Sequence, residues 1–253
     1  LYSPGRTIEG GFTDRIWGNG FGTINRREDH TSICETSHHI ANELMTWDEK
    51  ENRGRKNHFK PDIVEAKYIM LFGSSFLEAN FPMVATARKL MDFRAKGGKY
   101  VVVDPRFSNT AALAHRWVPI KPGTDAALSL GMVRWMLENK KYDTKYLANA
   151  NQAAAKARGE PTWTDSTRLV VVDSNHADAR KYLRSDAIGG NKDNYVTWSG
   201  GGPKEIAEAA LVGELEPGEV TVAGQRCKTA FQLMKERVLT KSVSQYAEDC
   251  GLS

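Results

Sequence analysis

The segment from residue 101 to 128, VVVDPRFSNTAALAHRWVPIKPGTDAAL, constrains the fold more than any other part of the chain. A run of β-forming residues at 100–103 leads directly into Asp-Pro-Arg at 104–106, and a second short strand ends at Pro-Gly-Thr-Asp (122–125) before a helix. In an open parallel sheet, ligands bind in the crevice beyond the carboxyl ends of the strands. An acid at that point suits hydrogen bonding to a ribose or a guanine edge. Asp-Pro and Pro-Gly also favour turns in their own right, so the residues alone leave both interpretations open.

The preceding segment has the pattern of a strand, a helix and another strand. The stretch KYIMLF at 67–72 predicts a short buried strand, and apolar residues at helical spacing predict a helix over 82–96 that ends at Gly97-Gly98. A strand–helix–strand unit of this kind is typical of a parallel sheet. A further helix is predicted over 126–139. The fold class is therefore predicted to be α/β, a Rossmann-like parallel sheet with flanking helices.

The rest of the chain gives weaker patterns. Before the sheet, residues 1–33 predict irregular structure, 35–47 a helix, and 48–60 an exposed loop. After it, strands are predicted at 168–173 and 195–198 and one terminal amphipathic helix over 229–246. Because no repeat or long linker interrupts the chain, we predict a single α/β domain over 1–253 with an elaborated second half.

Composition excludes several classes of protein. The chain has 253 residues, of which 40% are hydrophobic and 26% charged, so neither a disordered nor a membrane protein is indicated. The net charge is only +4 and the basic residues are scattered, so no nucleic-acid partner is expected. The three cysteines, at 34, 227 and 250, form no CxxC pair, and their odd number leaves at least one outside any intramolecular disulfide.

Two further segments carry residues suited to chemistry. Cys34 comes directly before a predicted helix, whose N-terminus would stabilise a thiolate, although the residues alone favour a structural cysteine. Gly73-Ser74-Ser75 follows the first strand, and such small residues allow close approach of a phosphate or sugar. There is neither a GxGxxG nor a GxxxxGK[ST] motif, so this turn is not a standard dinucleotide or P-loop site.

Taken together, these motifs resemble the dimethyl sulfoxide reductase superfamily of molybdopterin oxidoreductases. The order Asp-Pro-Arg, a threonine with alanines, and Lys-Pro-Gly-Thr-Asp-x-x-Leu is similar to its two loops that hold a guanine nucleotide of the molybdenum cofactor. The segment DHTSIC at 29–34 resembles the one that supplies a cysteine ligand to molybdenum. Within the superfamily, SICETSHH at 32–39 and the stretch 146–172 look most like tetrathionate reductases.

The resemblance implies a set of site residues. Cys34 would be the catalytic residue and the ligand of molybdenum. The residues implied to bind the cofactor are His30, Phe72, Gly73, Ser74, Ser75, Glu78, Asp104, Pro105, Arg106, Ser108, Gly123, Thr124 and Asp125. His38, His39, Arg26 and Arg27 are neighbours of Cys34 whose roles stay open, as do those of Cys227 and Cys250.

The resemblance also implies cofactors, partners and a location. The cofactor would be molybdenum bis(molybdopterin guanine dinucleotide), and a [4Fe–4S] cluster is expected in a longer protein, although its cysteine ligands are absent here. The expected activity is the two-electron reduction of tetrathionate to thiosulfate. The expected partners are an electron-transfer subunit with iron–sulfur clusters and a membrane anchor subunit, in the periplasm or on the outer face of the cytoplasmic membrane. We expect the present chain, as an excised piece of a larger catalytic protein, to be inactive alone and to bind cofactor weakly or not at all.

Other functions remain as alternatives. Polysulfide, thiosulfate and arsenate reductases of the same superfamily share the cysteine ligand and the nucleotide loops. A guanine-nucleotide-binding or structural module without catalysis is a second alternative. A nicotinamide-dependent dehydrogenase is the third, and the missing glycine fingerprint argues against it.

Overall fold

The computed structural model describes residues 14–22, 36–48, 51, 53–56, 59, 61–78 and 83–252. The chain divides into two compact units, residues 1–66 and residues 67–253. Within the described residues, no helix combines the length and the apolar character needed to cross a membrane.

Among its described residues, the smaller unit contains a π-helical segment, an α-helix and a two-stranded antiparallel hairpin. These are Asp14–Gly20, α1 (Thr36–Met45), β1 (Trp47–Asp48) and β2 (Arg53–Gly54). A Cβ on Gly54 would lie 2.3 Å from the Cβ of Glu43, so a glycine is needed where the hairpin meets α1. The predicted helix is confirmed, whereas the exposed loop predicted over 48–60 is wrong at the hairpin. Irregular structure over 1–33 is wrong at Asp14–Gly20, and most of that stretch lies outside the described residues.

The larger unit begins with a three-stranded parallel sheet. Its strands are β3 (Tyr68–Phe72), β4 (Lys99–Val103) and β5 (Arg116–Val118), in the order β3-β4-β5, and α2 (Met83–Ala95) connects the first two. Phe72 pairs with Val103, which in turn pairs with Val118. All three strands therefore end at the same edge of the sheet. The predicted strand–helix–strand unit and its parallel pairing are confirmed.

The central strand of this sheet is buried on both of its faces. Val101 and Val103 pack in one hydrophobic cluster with Ile120 and with Leu128 of α4 (Asp125–Glu138). Side chains alternate along a strand, so Tyr100 and Val102 point to the opposite face, and they too are almost completely buried. Burial on both faces explains the continuous apolar run in the sequence.

The glycine pair after α2 has two separate functions. Gly97 adopts a positive φ of 85° and donates its N–H to the Arg94 carbonyl, which ends the helix. A Cβ on Gly98 would lie 2.4 Å from the ring of Phe93, so this glycine makes room for a core aromatic side chain. The helix end predicted from these glycines is confirmed.

The second half of the larger unit is built on antiparallel strands. Strands β6 (Leu169–Val171), β9 (Val220–Val222) and β10 (Gln225–Thr229) form one sheet in the order β6-β10-β9, and β7 (Tyr195–Ser199) pairs with β8 (Gly202–Ile206). Single bridges join Val170 to Tyr182 and Arg184 to Tyr195. The core of this half includes Leu169, Leu183, Val196 and Cys227.

Short helices complete the larger unit. They are α3 (Asn109–Ala112), α5 (Thr144–Leu147), α6 (Gln152–Ala157), the 3₁₀ turn Ser185–Ile188, α7 (Ala230–Val238) and α8 (Val243–Asp249). The single terminal helix predicted over 229–246 is wrong, because the chain leaves the helix after Val238 and Ser242 caps a new one. The structure is thus a mixed α/β fold that includes a parallel sheet. The Rossmann-like form of that sheet and the single domain over 1–253 stay predictions.

Candidate nucleotide site at the edge of the parallel sheet

The turn after β3 is fastened to the neighbouring strand. Gly73, with φ of 53°, donates its N–H to the Val103 carbonyl at 2.9 Å. Ser74 and Ser75 are half-buried, and the Ser75 carbonyl accepts the N–H of Glu78 at 3.0 Å. Nothing lies within 4 Å of a Cβ placed on Gly73, so the backbone at the end of β3 is open to an approaching ligand.

The structure brings the predicted residues Glu78 and Arg106 together although they are 28 residues apart. Oε1 of Glu78 accepts hydrogen bonds from Nη2 of Arg106 at 2.7 Å and from Nδ2 of Asn109 at 3.0 Å. The two loops are further joined where the Leu77 N–H donates to the buried Thr110 hydroxyl at 3.1 Å. The loops after β3 and β4 therefore form one continuous wall.

The second carboxylate oxygen of Glu78 is left without a partner. Oε2 is shielded from solvent and has no hydrogen bond within the described part of the chain. A buried acceptor of this kind costs free energy unless a donor reaches it. It marks a position where a ligand N–H or O–H can bind.

Asp104 shapes the loop that follows β4. Its N–H donates to the Val118 carbonyl at 3.1 Å, and its Oδ1 accepts the N–H of Arg106 at 2.8 Å across the exposed Pro105. One carboxylate oxygen is thus used for the turn itself, as an Asp in this position favours. The turn interpretation of Asp104 is therefore confirmed, and its contact with a nucleotide from this half-buried position stays a prediction.

Two aromatic residues at this edge were missed by the sequence analysis. Nε1 of Trp117 donates to the Asp104 carbonyl at 2.7 Å, and the exposed Phe107 ring packs edge-on against Trp117 at a centroid distance of 5.0 Å. The sequence does show one of them, since the aromatic residue Phe107 directly follows Asp-Pro-Arg. Its partner could not be identified without the register of β4 and β5.

Four further predicted residues of these loops contribute to the local backbone structure. Ser108 is buried and caps α3, since its hydroxyl accepts the N–H of Ala111 at 3.2 Å. Gly123 has a positive φ of 78°, and the Thr124 hydroxyl donates to the Lys121 carbonyl at 2.6 Å. Asp125 begins α4 and is exposed, where an acid complements the helix dipole. Cofactor contacts of these four residues stay predictions.

The end of the chain supports the loop before α4. The Lys121 N–H donates to the Cys250 carbonyl at 2.9 Å, and the Cys250 thiol donates to the Thr124 carbonyl at 3.5 Å. Burial raises the pKa of the Cys250 thiol above its usual value. Burial likewise raises the pKa of Cys227 to about 11, so both thiols are protonated at neutral pH and serve as core residues.

The predicted metal site falls in the smaller unit. Cys34 and His30, together with Arg26 and Arg27, lie outside the described residues, so their roles stay predictions. On α1 the adjacent rings of His38 and His39 meet edge to face with centroids 4.6 Å apart. No group of three or more His, Cys, Asp or Glu side chains among the described residues could hold a metal ion.

Comparisons with known proteins agree with the motifs at the sheet edge. The family model for molybdopterin oxidoreductase matches residues 11–214. A selenate reductase of Mesobacillus selenatarsenatis is 36% identical over 263 residues, which is 99% of this chain and 25% of that protein. A tetrathionate reductase of Salmonella typhimurium is 31% identical over 253 residues, which is 95% of this chain and 24% of that protein.

A solved structure is similar at a lower level. Acetylene hydratase from Pelobacter acetylenicus has 22% sequence identity and a TM-score of 0.38, over 52% of this chain and 16% of that one. The chain spans about a quarter of the length of the two reductases. Since the family model covers most of the sequence, including both loops of the sheet edge, the chain belongs to the molybdopterin oxidoreductase family.

Proposed function

We propose that this chain is the part of a molybdenum-dependent reductase that holds one guanine nucleotide of a bis(molybdopterin guanine dinucleotide) cofactor. The observation that carries the proposal is the unpartnered, buried Oε2 of Glu78 at the carboxyl edge of the parallel sheet. A guanine base presents adjacent N–H donors on one edge, either of which can donate to Oε2, since Oε1 already accepts from Arg106 and Asn109. Adenine lacks this pair of donors.

The neighbouring residues fit a nucleotide as well. The half-buried Asp104 adds acceptor oxygens, Arg106 adds a cation that remains 70% exposed, and Gly73 leaves room for a sugar or phosphate. When bound, the cofactor would supply a two-electron redox centre. The chain's own residues would orient the nucleotide, and Cys34 would provide a soft thiolate ligand for molybdenum next to His30.

For the intact enzyme we propose an oxyanion substrate of sulfur or selenium. Tetrathionate reduction adds two electrons to the central S–S bond and releases two thiosulfate ions, with no proton consumed. Selenate is the second candidate, favoured by the 36% identity to a selenate reductase over almost the whole chain. Its reduction takes two electrons and two protons and releases selenite and water. The two reactions therefore differ in their proton requirement.

The proposal extends to partners and location. Electrons would come through a [4Fe–4S] cluster of the longer protein and an iron–sulfur subunit, with a membrane anchor subunit beside it. The site of action would be the periplasm or the outer face of the cytoplasmic membrane. The chain alone would have no reductase activity.

Nucleotide binding is tested by thermal unfolding of the 253-residue chain with GDP, ADP or NAD, each at about 10 mM. With a GDP dissociation constant on the order of 1 mM, we expect a rise in melting temperature of roughly 2–5 °C with GDP. ADP and NAD should give a much smaller rise. Replacement of Glu78 by Gln should weaken GDP binding about tenfold, because a charge-assisted hydrogen bond is lost.

The matched control is Glu138→Gln on α4. Glu138 also accepts from an arginine, with 2.7 Å between its Oε1 and Nη2 of Arg134, but it lies away from the sheet edge. This change should leave the GDP response unaltered. Equal responses to GDP and ADP would contradict the guanine site. No response to any of the three would favour the structural alternative, and a response to NAD alone would favour the dehydrogenase alternative.

A further inference from the structure

The antiparallel half of the larger unit contains a cavity that the nucleotide site does not use. It has a volume of about 650 Å³ and lies against the chain segment between β6 and β7. Its charged lining residues are Asp178, Arg180, Lys181, Arg184 and Asp186. A second cavity of about 550 Å³ shares Arg180, Tyr182 and Val171 with the first. No residue of the sheet-edge loops lines either cavity.

The backbone at the rim of the cavity is held in an unfavourable conformation. Arg180 has a positive φ of 66°, in the left-handed region that costs free energy for any residue with a Cβ. Its N–H donates to the Val171 carbonyl at 2.8 Å, while the Val171 N–H donates to the Lys181 carbonyl at 3.0 Å. Two residues thus oppose one across the ladder, which is a β-bulge. Bulges of this kind redirect a side chain, and strain of this kind concentrates at functional sites.

A second arginine of the cavity is pre-oriented. The guanidinium of Arg184 lies over the Tyr195 ring at 4.0 Å from its centroid, and Nη1 donates to the Asp193 carbonyl at 3.1 Å. Arg168 lies over the same ring at 4.2 Å. A guanidinium fixed by a ring and a carbonyl loses little freedom when it binds an anion.

The lining carries three positive and two negative side chains, and its one ion pair among the described residues leaves Arg180, Arg184 and Asp186 without an oppositely charged partner. Lys181 and Asp178 neutralise each other, since Nζ lies 2.9 Å from Oδ1. The Arg180 guanidinium makes no hydrogen bond, ion pair or ring contact to any described residue. In the same wall, Oε1 of Gln225 is buried and has no hydrogen-bond partner within the described chain. The cavity therefore offers a free guanidinium, a pre-oriented one and an unsatisfied acceptor.

We propose that this cavity binds a tetrahedral oxyanion through Arg180 and Arg184, with phosphate as the type ligand. Guanidinium groups bind such anions through paired N–H donors. A tetrahedral ion presents oxygens in several directions and so suits donors from separate side chains better than a planar carboxylate does. A singly protonated phosphate also has an O–H for Gln225. The volume exceeds that of one ion, so the oxyanion is either free and hydrated or the head group of a larger ester.

The test is calorimetric titration of the 253-residue chain with inorganic phosphate and with ribose 5-phosphate, at constant ionic strength in a phosphate-free buffer. Arg180→Gly removes the guanidinium and also relieves the left-handed backbone. We expect this variant to bind phosphate at least tenfold more weakly, while its melting temperature rises by roughly 2 °C. Arg184→Lys keeps the charge, loses the paired donors, and should also weaken binding. Equal affinity for the two ligands identifies the free ion, and tighter binding of the ester identifies a head group.

Lys140→Gly is the matched control. Lys140 is also a cation with a positive φ, of 50°, and it does not line the cavity. Its replacement should raise the melting temperature similarly and leave phosphate affinity unchanged. The proposal is overturned if the wild-type chain binds neither ligand at 20 mM (a limit we set), if Arg180→Gly binds as tightly as wild type, or if Lys140→Gly weakens binding equally.

Discussion

Among single residues, Trp117 supports the loop after β4 at the candidate nucleotide site. Its indole donates to the Asp104 carbonyl and packs on Phe107. Trp117→Phe keeps an aromatic ring and removes the hydrogen bond. We expect a loss of about 1 kcal/mol in the free energy of unfolding and weaker GDP binding, because the loop after β4 gains freedom. Urea unfolding and GDP titration measure the two effects.

Trp135→Phe provides the comparison for that change. Trp135 lies half-exposed on α4, away from the loop. Its replacement should leave GDP binding intact. Undiminished GDP binding by Trp117→Phe would mean that the indole contributes only to packing.

For single residues, the sequence indicated candidate site residues better than the side chains that those residues contact. Asp104 was predicted as a site residue because an acid after a strand end suits a nucleotide, and Glu78 because of the family resemblance. The contact of Glu78 with Arg106 depends on the parallel register of β3 and β4, which no local pattern contains. The left-handed backbone of Arg180 depends in the same way on a bulge opposite Val171.

Among the elements, the break between α7 and α8 depends on a capping box at Ser242. The Ser242 hydroxyl accepts the N–H of Gln245 while the Gln245 side chain accepts the N–H of Ser242. Ser242→Ala should lower the free energy of unfolding by about 1 kcal/mol, and the melting temperature by roughly 2–4 °C. Ser244→Ala, two residues further on, should have little effect. Equal losses for both variants in a thermal melt would show that the cap is not the cause.

The break itself could have been found in the sequence. Apolar spacing continues through 229–246, and this periodicity favoured one long helix. The pattern Ser-x-x-Gln at 242–245 is a helix start, as Thr-x-x-Gln at 229–232 is for α7. Capping here outweighs the apolar periodicity. The side chains of Ser242 and Gln245 accept backbone N–H groups that would donate to carbonyls four residues earlier in a continuous helix.

For the whole molecule, the sequence predicted the parallel half well, whereas in the antiparallel half it predicted strands β6 and β7 but not how they pair. Parallel strands joined by one helix follow each other along the chain, so their order can be inferred from local patterns. Strand β6 instead pairs with β10 across the whole β7–β8 hairpin, and such distant pairing leaves no local signal. The candidate nucleotide site lies on the first half and the proposed oxyanion cavity on the second. The two proposals can therefore fail independently.

The proposed chemistry belongs to the intact enzyme and is tested there. Cys34→Ala in the full-length protein should abolish the reduction of both tetrathionate and selenate, because the thiolate proposed to hold molybdenum is lost. Molybdenum content by mass spectrometry and the ratio of kcat/KM for the two substrates are the measurements. Cys227→Ala, at a buried thiol on β10, is the control and should keep activity in the folded enzyme. A wild-type rate in Cys34→Ala would remove the basis for the metal site. Equal loss in the control would show that the effect comes from folding, because loss of a buried sulfur atom from a close-packed core destabilises the fold whether or not a metal is bound.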